Sequence, residues 1–320
     1  MLNVTLIRLA LLSLSLAYPS FCVAEKQDKE LAQAYQALAN GDYTESFEIF
    51  TRLVKENSAE AHFVSALFYK HGWGKVEQDP DKACELFLYA AEKGIPVAQQ
   101  EYGYCAMNNA SDSANERPDD WFKLAYENGV YEAACDIGRL YLGTSWQEQN
   151  LPQAIEWCLR AAERSAVKAQ VTLGDIYISY SEVFNLERVE FWYTQAINNG
   201  SGEAAYKLGT LYLRVVGQKG GDDHANNKAL YLMELASSRH IEKAYEPTAK
   251  MYWKKLQNSS HDSSKLLAKS YVWAKAAHQV NPTTDTARFL GEIEKELPRQ
   301  WKEELDFQVE QFNENVPQFK

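Results

Sequence analysis

The sequence predicts an all-α fold in which antiparallel helix hairpins repeat and stack, and three observations predict it. Apolar residues recur at spacings of three and four almost throughout, which marks one buried helix face, and no Asn-Gly turn flanked by alternating residues marks a pair of strands. The stretch from Ala169 to Gly200 recurs along the chain: from a small anchor residue, Leu173-Gly174 follow at positions four and five and Tyr177 at position eight. The anchors Ala61, Ala98, Ala133, Ala169, Ala204 and Ala244 are spaced by 37, 35, 36, 35 and 40 residues. A period of that size belongs to units that bury their apolar faces only by stacking on their neighbours.

Each column has a physical reason. Position five reads Ala66, Gly103, Gly138, Gly174, Gly209 and Ala249, small residues that let a partner backbone approach. Position eight reads Tyr69, Ala106, Tyr141, Tyr177, Tyr212 and Tyr252, rings that fill space between hairpins and keep a polar tip. The second half of each unit carries Leu86-Phe87, Trp121-Phe122, Trp157-Cys158, Trp192-Tyr193, Leu232-Met233 and Trp273-Ala274. Ala90, Ala125, Ala161, Ala196, Ala236 and Ala277 close these halves four residues later.

In chain order, residues 1–24 read as a secretory signal peptide. Arg8 precedes the apolar run Leu9 to Ala17, and Cys22-Val23-Ala24 place small residues three and one before a cut. The run is well short of the roughly 20 residues that span a bilayer, and the residue before Cys22 is not the small one that lipidation carries. Residues 25–60 read as an N-terminal capping hairpin, because Ser46, Ile49-Phe50, Leu53 and Asn57 keep the phase of the later second halves. Residues 61–281 are six repeats. Asp42, Asp79, Asn150 and Asn185 are expected N-caps, with Pro80 in the first turn. Gly94, Gly129, Gly200 and Asn281 end second helices where a left-handed residue is tolerated; Ser165 and His240 share that slot and are expected to be strained or differently shaped.

The fifth and sixth units are irregular. The stretch between Tyr212 and Ala229 carries Gly217, Gly220, Gly221 and Asp222-Asp223, and that between Tyr252 and Ser270 carries Asn258-Ser259-Ser260 and Ser263-Ser264; both are expected to be lengthened loops. They mark either a binding face or neutral drift in solvent. Residues 282–320 supply C-terminal capping helices, the last with Trp301, Leu305, Val309 and Phe312 on one stripe that closes the core or recruits a partner helix.

The net charge is −11, and one unit lower without Arg8. Such acidity opposes nucleic-acid binding, which draws on clustered cations. No second stretch reaches membrane-spanning length. The sequence has no H-E-x-x-H, no C-x-x-C and no glycine-rich phosphate loop, and its six His show no ligand spacing, so neither metal nor cofactor is expected. Ser165-Ala166-Val167-Lys168 fits S-x-x-K, but no K-T-G or S-D-N accompanies it, and Ser165 falls in the inter-unit turn column. The four cysteines after the leader invite pairing, yet Cys105 and Cys158 stand in core columns occupied elsewhere by Phe, Leu, Ile and Tyr, and free thiols are expected.

The pattern A-x-x-x-L-G-x-x-Y, a loop, then D-x-x-K-A-x-x-W-Y-x-x-A-A-E-x-G resembles the Sel1-like repeat, a relative of the tetratricopeptide repeat. The best single match is residues 61–94, and the resemblance covers about residues 28–315. It implies a right-handed α-solenoid of stacked antiparallel helix hairpins that binds other proteins, and it does not imply a reaction, so no enzyme is expected. Cysteine-rich members bridge their hairpins, and some have been linked with penicillin binding. Carrying over the tetratricopeptide groove phase gives a candidate surface: Phe63, Leu67 and His71 in the first unit, Gln100, Tyr104 and Asn108 in the second, and Arg139 in the third. It continues through Lys168 and Asp175, Tyr206 and Arg214, then Lys250, Trp253 and Lys254. The leader adds a periplasmic setting, and Arg139, Lys168, Arg214, Lys250 and Lys254 put bases on one wall of an acidic protein. The expectation is therefore a scaffold that accepts an extended acidic or C-terminal segment of another protein, with Tyr104, Tyr206 and Trp253 as anchors. An envelope glycan or small-molecule binder is the alternative, and a penicillin-interacting enzyme stands third. The leader reading has a direct check. Exported protein should begin at Glu25, and an intact mass that retains residues 1–24 would sink it.

Overall fold

A computed structural model describes residues 18–108, 117–144, 148–219, 223–259 and 263–314. Among these the chain is all-helical, with sixteen α-helices and two short 3-10 turns and no strand. It divides into two compact units between Asn150 and Leu151. The first holds α1 (Tyr18–Ala39), α2 (Tyr43–Lys55), α3 (Ala59–His71), α4 (Pro80–Glu92), α5 (Pro96–Asn108), α6 (Pro118–Glu127) and α7 (Ala133–Leu140). The second holds α8 (Leu151–Ala162), α9 (Val167–Ser179), α10 (Leu186–Asn198), α11 (Gly202–Lys219), α12 (Asp223–Ser238), α13 (Tyr245–Gln257), α14 (Ser264–Val280), α15 (Thr284–Glu296) and α16 (Arg299–Glu314). Within each unit successive helices pack on one another as far as α15, and α16 packs on α14. Residues 1–17 and the tail 315–320 lie outside the described residues, and the expected leader boundary after Ala24 falls inside α1.

The expected columns are core. The anchors and closing alanines are buried without exception, as are Phe87, Phe122, Tyr193 and Met233. Position five works differently from the expectation. What approaches the glycine is a side chain rather than the partner backbone: a Cβ on Gly103 would lie 2.5 Å from the Phe122 ring, and one on Gly174 2.4 Å from Tyr193. The contact stays within one hairpin, so ring and glycine are a matched pair.

The turns follow the capping expectations in most places. Asp42, Asp79 and Asn185 accept the amide hydrogen bond of the residue three on. Gly94, Gly129 and Gly200 are left-handed at φ 87°, 99° and 96°. Ser165 and His240 adopt the same shape at φ 63° and 59°, and so does Asn57 at 61°. Their bonding is the same too: Ala166 and Ile241 donate to Ala161 and Ala236 at 3.2 and 3.1 Å, as Ile95 does to Ala90 at 3.0 Å. These turns therefore bear the left-handed cost rather than changing form. Asn281 departs from expectation, with φ −135°. Pro282 follows it, and the residue before a proline is pushed to extended backbone.

Two further expectations change. The lengthened stretch of the fifth unit is mostly helix, since α11 runs 18 residues to Lys219 and α12 begins at Asp223. Gly220, Gly221 and Asp222 of that stretch, and Ser260 of the sixth unit, lie outside the described residues. And the thiols are not free. Cys84 on α4 and Cys105 on α5 form a disulfide with Cα atoms 5.8 Å apart, and Cys135 and Cys158 are disulfide-bonded as well. Cys105 and Cys158 are buried as their columns require. Burial and bridging are compatible, because a buried sulfur needs only a second cysteine across the helix interface.

At the C-terminal end the stripe of α16 closes the core. Leu305 and Val309 are buried, Trp301 and Phe312 pack on the cluster that holds Tyr245, Tyr271 and Trp273, and Tyr271 donates to Asp306 at 2.6 Å. Gly291, by contrast, has nothing within 4 Å of the place a Cβ would take and is not a position-five contact. The two glycines therefore predict opposite outcomes. Gly174→Ala should destabilise by about 1–3 kcal/mol through overpacking, whereas Gly291→Ala should stabilise by roughly 0.5–1 kcal/mol through helix propensity. Chemical denaturation of both variants checks the sign of each.

Candidate functional site

The first helices supply the predicted surface, and the structure sorts its residues by what they already bind. In the first unit Phe63 and Leu67 lean into the hairpin core, with the Phe63 ring 5.9 Å from Phe87. His71 stacks on Trp73 at 5.3 Å, and burial, followed by the Lys70 charge, holds its imidazole below the usual value. Gln100, Tyr104 and Arg139 converge on Asp136, a residue outside the predicted set. Gln100 donates at 2.6 Å, Tyr104 hydrogen-bonds the same carboxylate, and the Arg139 guanidinium lies 3.7 Å away. Burial first, and then Asp136, raises the Tyr104 hydroxyl far above the ordinary phenol value. Asn108 is exposed at the end of α5.

In the fourth repeat Asp175 is the corresponding hub. It accepts from Tyr193 at 2.7 Å and from Lys207 at 2.7 and 2.8 Å, which ties α9 to both α10 and α11. Lys250 is ion-paired to Glu246 at 2.6 Å, and Trp253 packs on the core cluster. Tyr206 is half-buried, while Lys168, Arg214 and Lys254 are exposed, and none of these three bases has an acidic partner among the described residues.

The position-eight tyrosines form a second repeated feature. In the fourth, fifth and sixth repeats each meets a base that stands one residue before Val189, Ala229 or Ser270, the opener of the core of its own second helix. Arg188 donates to the Tyr177 hydroxyl at 2.6 Å, Lys228 lies 4.6 Å from the Tyr212 ring, and Lys269 5.0 Å from the Tyr252 ring. In the last two a carboxylate from the preceding second helix completes the group: Glu190 joins Tyr212 and Lys228, and Glu234 joins Tyr252 and Lys269. The signal for this clamp is present in the D-x-x-K-A spacing beside the tyrosine column.

A cleft of about 400 Å³ opens where the fifth hairpin is lengthened. Two helix stripes face across it. Asp223, Asn226, Asn227 and Leu230 lie along the first two turns of α12, and Met251, Lys254, Lys255 and Asn258 along the end of α13, each at i, i+3, i+4 and i+7. Leu213 of α11 adds to the apolar lining, and Lys255 donates to Asn227 across the gap at 2.9 Å. Of the surface residues predicted from sequence, Lys254 alone lines this cleft.

Together these features define a repeat fold of antiparallel helix hairpins. The Sel1 repeat profile matches residues 59–95, 132–165 and 202–240, and the chain carries Sel1 repeats there. Chitin synthase regulatory factor 3 of Schizosaccharomyces pombe is 30% identical over 165 residues, 48% of this chain and 17% of that protein. An F-box protein of Arabidopsis thaliana is 31% identical over 106 residues, 33% of this chain and 29% of its own length. The chain thus spans less than a third of the curated relatives it matches. Among solved structures, a protective antigen of uropathogenic Escherichia coli with an SLR fold aligns at TM-score 0.58 and 21% identity, over 91% of this chain and 62% of that one. A Sel1 repeat protein from Oxalobacter formigenes aligns at 0.58 and 22%, over 78% and 100%. These structural likenesses show the fold. Sel1-type repeats generally mediate protein–protein interactions and serve as non-enzymatic scaffolds. No described helix is long and apolar enough to cross a membrane.

The clamp predicts a pH dependence. Hydrogen bonds from Lys228 and then Tyr212 hold the Glu190 carboxyl below its ordinary 4.5, so its stabilisation is present above that value and is lost as pH falls through the depressed one. Glu190→Gln should therefore cost on the order of 0.2–1 kcal/mol at pH 7, as expected for a half-exposed pair. The difference from wild type should shrink toward zero in acid, as paired urea melts at neutral and low pH would show.

Proposed function

We propose that the chain is a non-enzymatic adaptor of the bacterial cell envelope, exported to the periplasm, that receives an extended acidic segment of a partner protein along its first helices. The observation that carries the reading is the division among the bases of the second compact unit, from Leu151 onward. Lys207, Lys228, Lys250, Lys269 and Lys275 are each held by a carboxylate, whereas Lys168, Arg214 and Lys254 stand exposed without one among the described residues. In a chain of net charge −11, bases left unneutralised on the predicted binding phase favour an acidic partner. The Asp175 hub supports it further, because α9, α10 and α11 are fixed relative to one another before any partner arrives. The disulfides fit an oxidising compartment and so favour export.

Arg139 serves poorly as a probe of this reading, since a reversed charge there would face the buried Asp136. Lys168→Glu with Arg214→Glu avoids the problem. The double variant should melt with wild type and lose capture of its envelope partner in a pull-down from the periplasmic fraction. Retained capture would place binding off this wall.

A further inference from the structure

We propose that the cleft between α12 and α13 is a receptor for the C-terminal residue of a polypeptide, with a free carboxylate on Lys254 and an apolar last side chain on Leu213, Leu230 and Met251. The inference rests on the adaptor reading and names the part of a partner that this cleft would take.

The cleft lies beside a departure from the repeat. α12 starts six residues before its opener Ala229, where α4 and α10 start three before theirs, and α11 is 18 residues long against 13 for α9. The added turn at the start of α12 brings Asp223 to the cleft, and the other lining residues stand on the ordinary length of α11, α12 and α13 and on Asn258 just past α13. Its volume of about 400 Å³ suits one or two residues of a ligand rather than a whole helix.

The chemistry is graded along the two stripes. Leu230 and Met251, with Leu213, form the apolar end, and Asp223 and Asn258 the polar one. Between them Lys254 has no acidic partner among the described residues, and Lys255 is held by a neutral amide instead of a carboxylate. A lysine at the end of a helix is ordinarily explained by the helix dipole. That account explains its position in α13 but not the facing amides. Asn226 and Asn258 have no side-chain hydrogen-bond partner among the described residues, and a carboxamide can both donate to and accept from a peptide group. Asp223 disfavours a dianion such as a phosphate, whereas a single carboxylate beside Lys254 meets one unpartnered ammonium. An apolar end, one free cation and facing amides are together the complement of a chain terminus.

The test uses the mature chain and a labelled pentapeptide, fluorescein-Gly-Ser-Gly-Ser-Leu, as the free acid and as the amide. The free acid should bind, and the amide about tenfold more weakly or worse. Lys254→Gln should lower free-acid affinity by a similar factor, leave the amide unchanged and leave the melting temperature unchanged, since Lys254 is exposed and unpaired among the described residues. Replacing the last Leu by Asp should also weaken binding. Equal binding of acid and amide, no binding of either, or indifference to Lys254→Gln overturns the proposal. Failure here with partner capture still lost in the Lys168→Glu, Arg214→Glu variant would remove the cleft and keep the adaptor. Peptide binding with capture retained in that variant would support the cleft and remove the wall.

Discussion

The seat of an aromatic ring on the bare backbone of a glycine is the contact on which the second and fourth hairpins depend. Tyr193 occupies the space that any side chain at Gly174 would need, and Phe122 does the same at Gly103. Interiors are packed to crystal-like density, so a missing Cβ on one helix must be filled from the other. The pairing has a polar consequence. With its ring fixed on Gly174, Tyr193 brings its hydroxyl to Asp175, and Asp175 in turn draws Lys207 from the next first helix. Packing thus decides which wall charges are neutralised.

The turns and cysteines show how much the surrounding stack imposes. Asn57, Ser165 and His240 take the left-handed shape that glycine takes elsewhere, with the same pair of backbone hydrogen bonds. The closing residue's carbonyl and the next unit's first turn fix that geometry, and the residue in the slot complies at a cost. At Asn281 a local feature prevails instead, because Pro282 keeps it out of the left-handed shape, at φ −135°. Cys105 belongs to its core column and is also bridged, because Cys84 faces it from the second helix of the preceding hairpin.

On the surface the same logic separates structural charge from available charge. Asp136 and Asp175 gather tyrosines and amines from neighbouring helices, and Glu190 and Glu234 complete clamps on the tyrosine column. The Asp136 and Asp175 groups take up Gln100, Tyr104, Arg139 and Asp175 of the wall that tetratricopeptide phase alone assigns to a ligand. What is left over is sparse and local: Lys168, Arg214 and the cleft at Lys254. A scaffold held by internal pairs can present few free groups and still present them in fixed positions.

The sequence by itself determined the helix hairpins, their columns, the caps at Asp79 and Asn185 and the closing stripe of α16, because each is set by residues within one helix or across one turn. It also held the clamp, in the base that precedes the second-helix opener. Only the tertiary structure decided that Gly217 lies within a helix, that Cys84 meets Cys105, and that Asp136 and Asp175 gather several partners each. Each of these depends on which residue of a neighbouring helix arrives at a given point. A repeat period fixes that meeting for packed columns, where every unit presents the same kind of residue. It does not fix it for single substitutions such as a cysteine, an aspartate or an added turn, whose partners lie some 20 to 35 residues away and are brought near only by the stack.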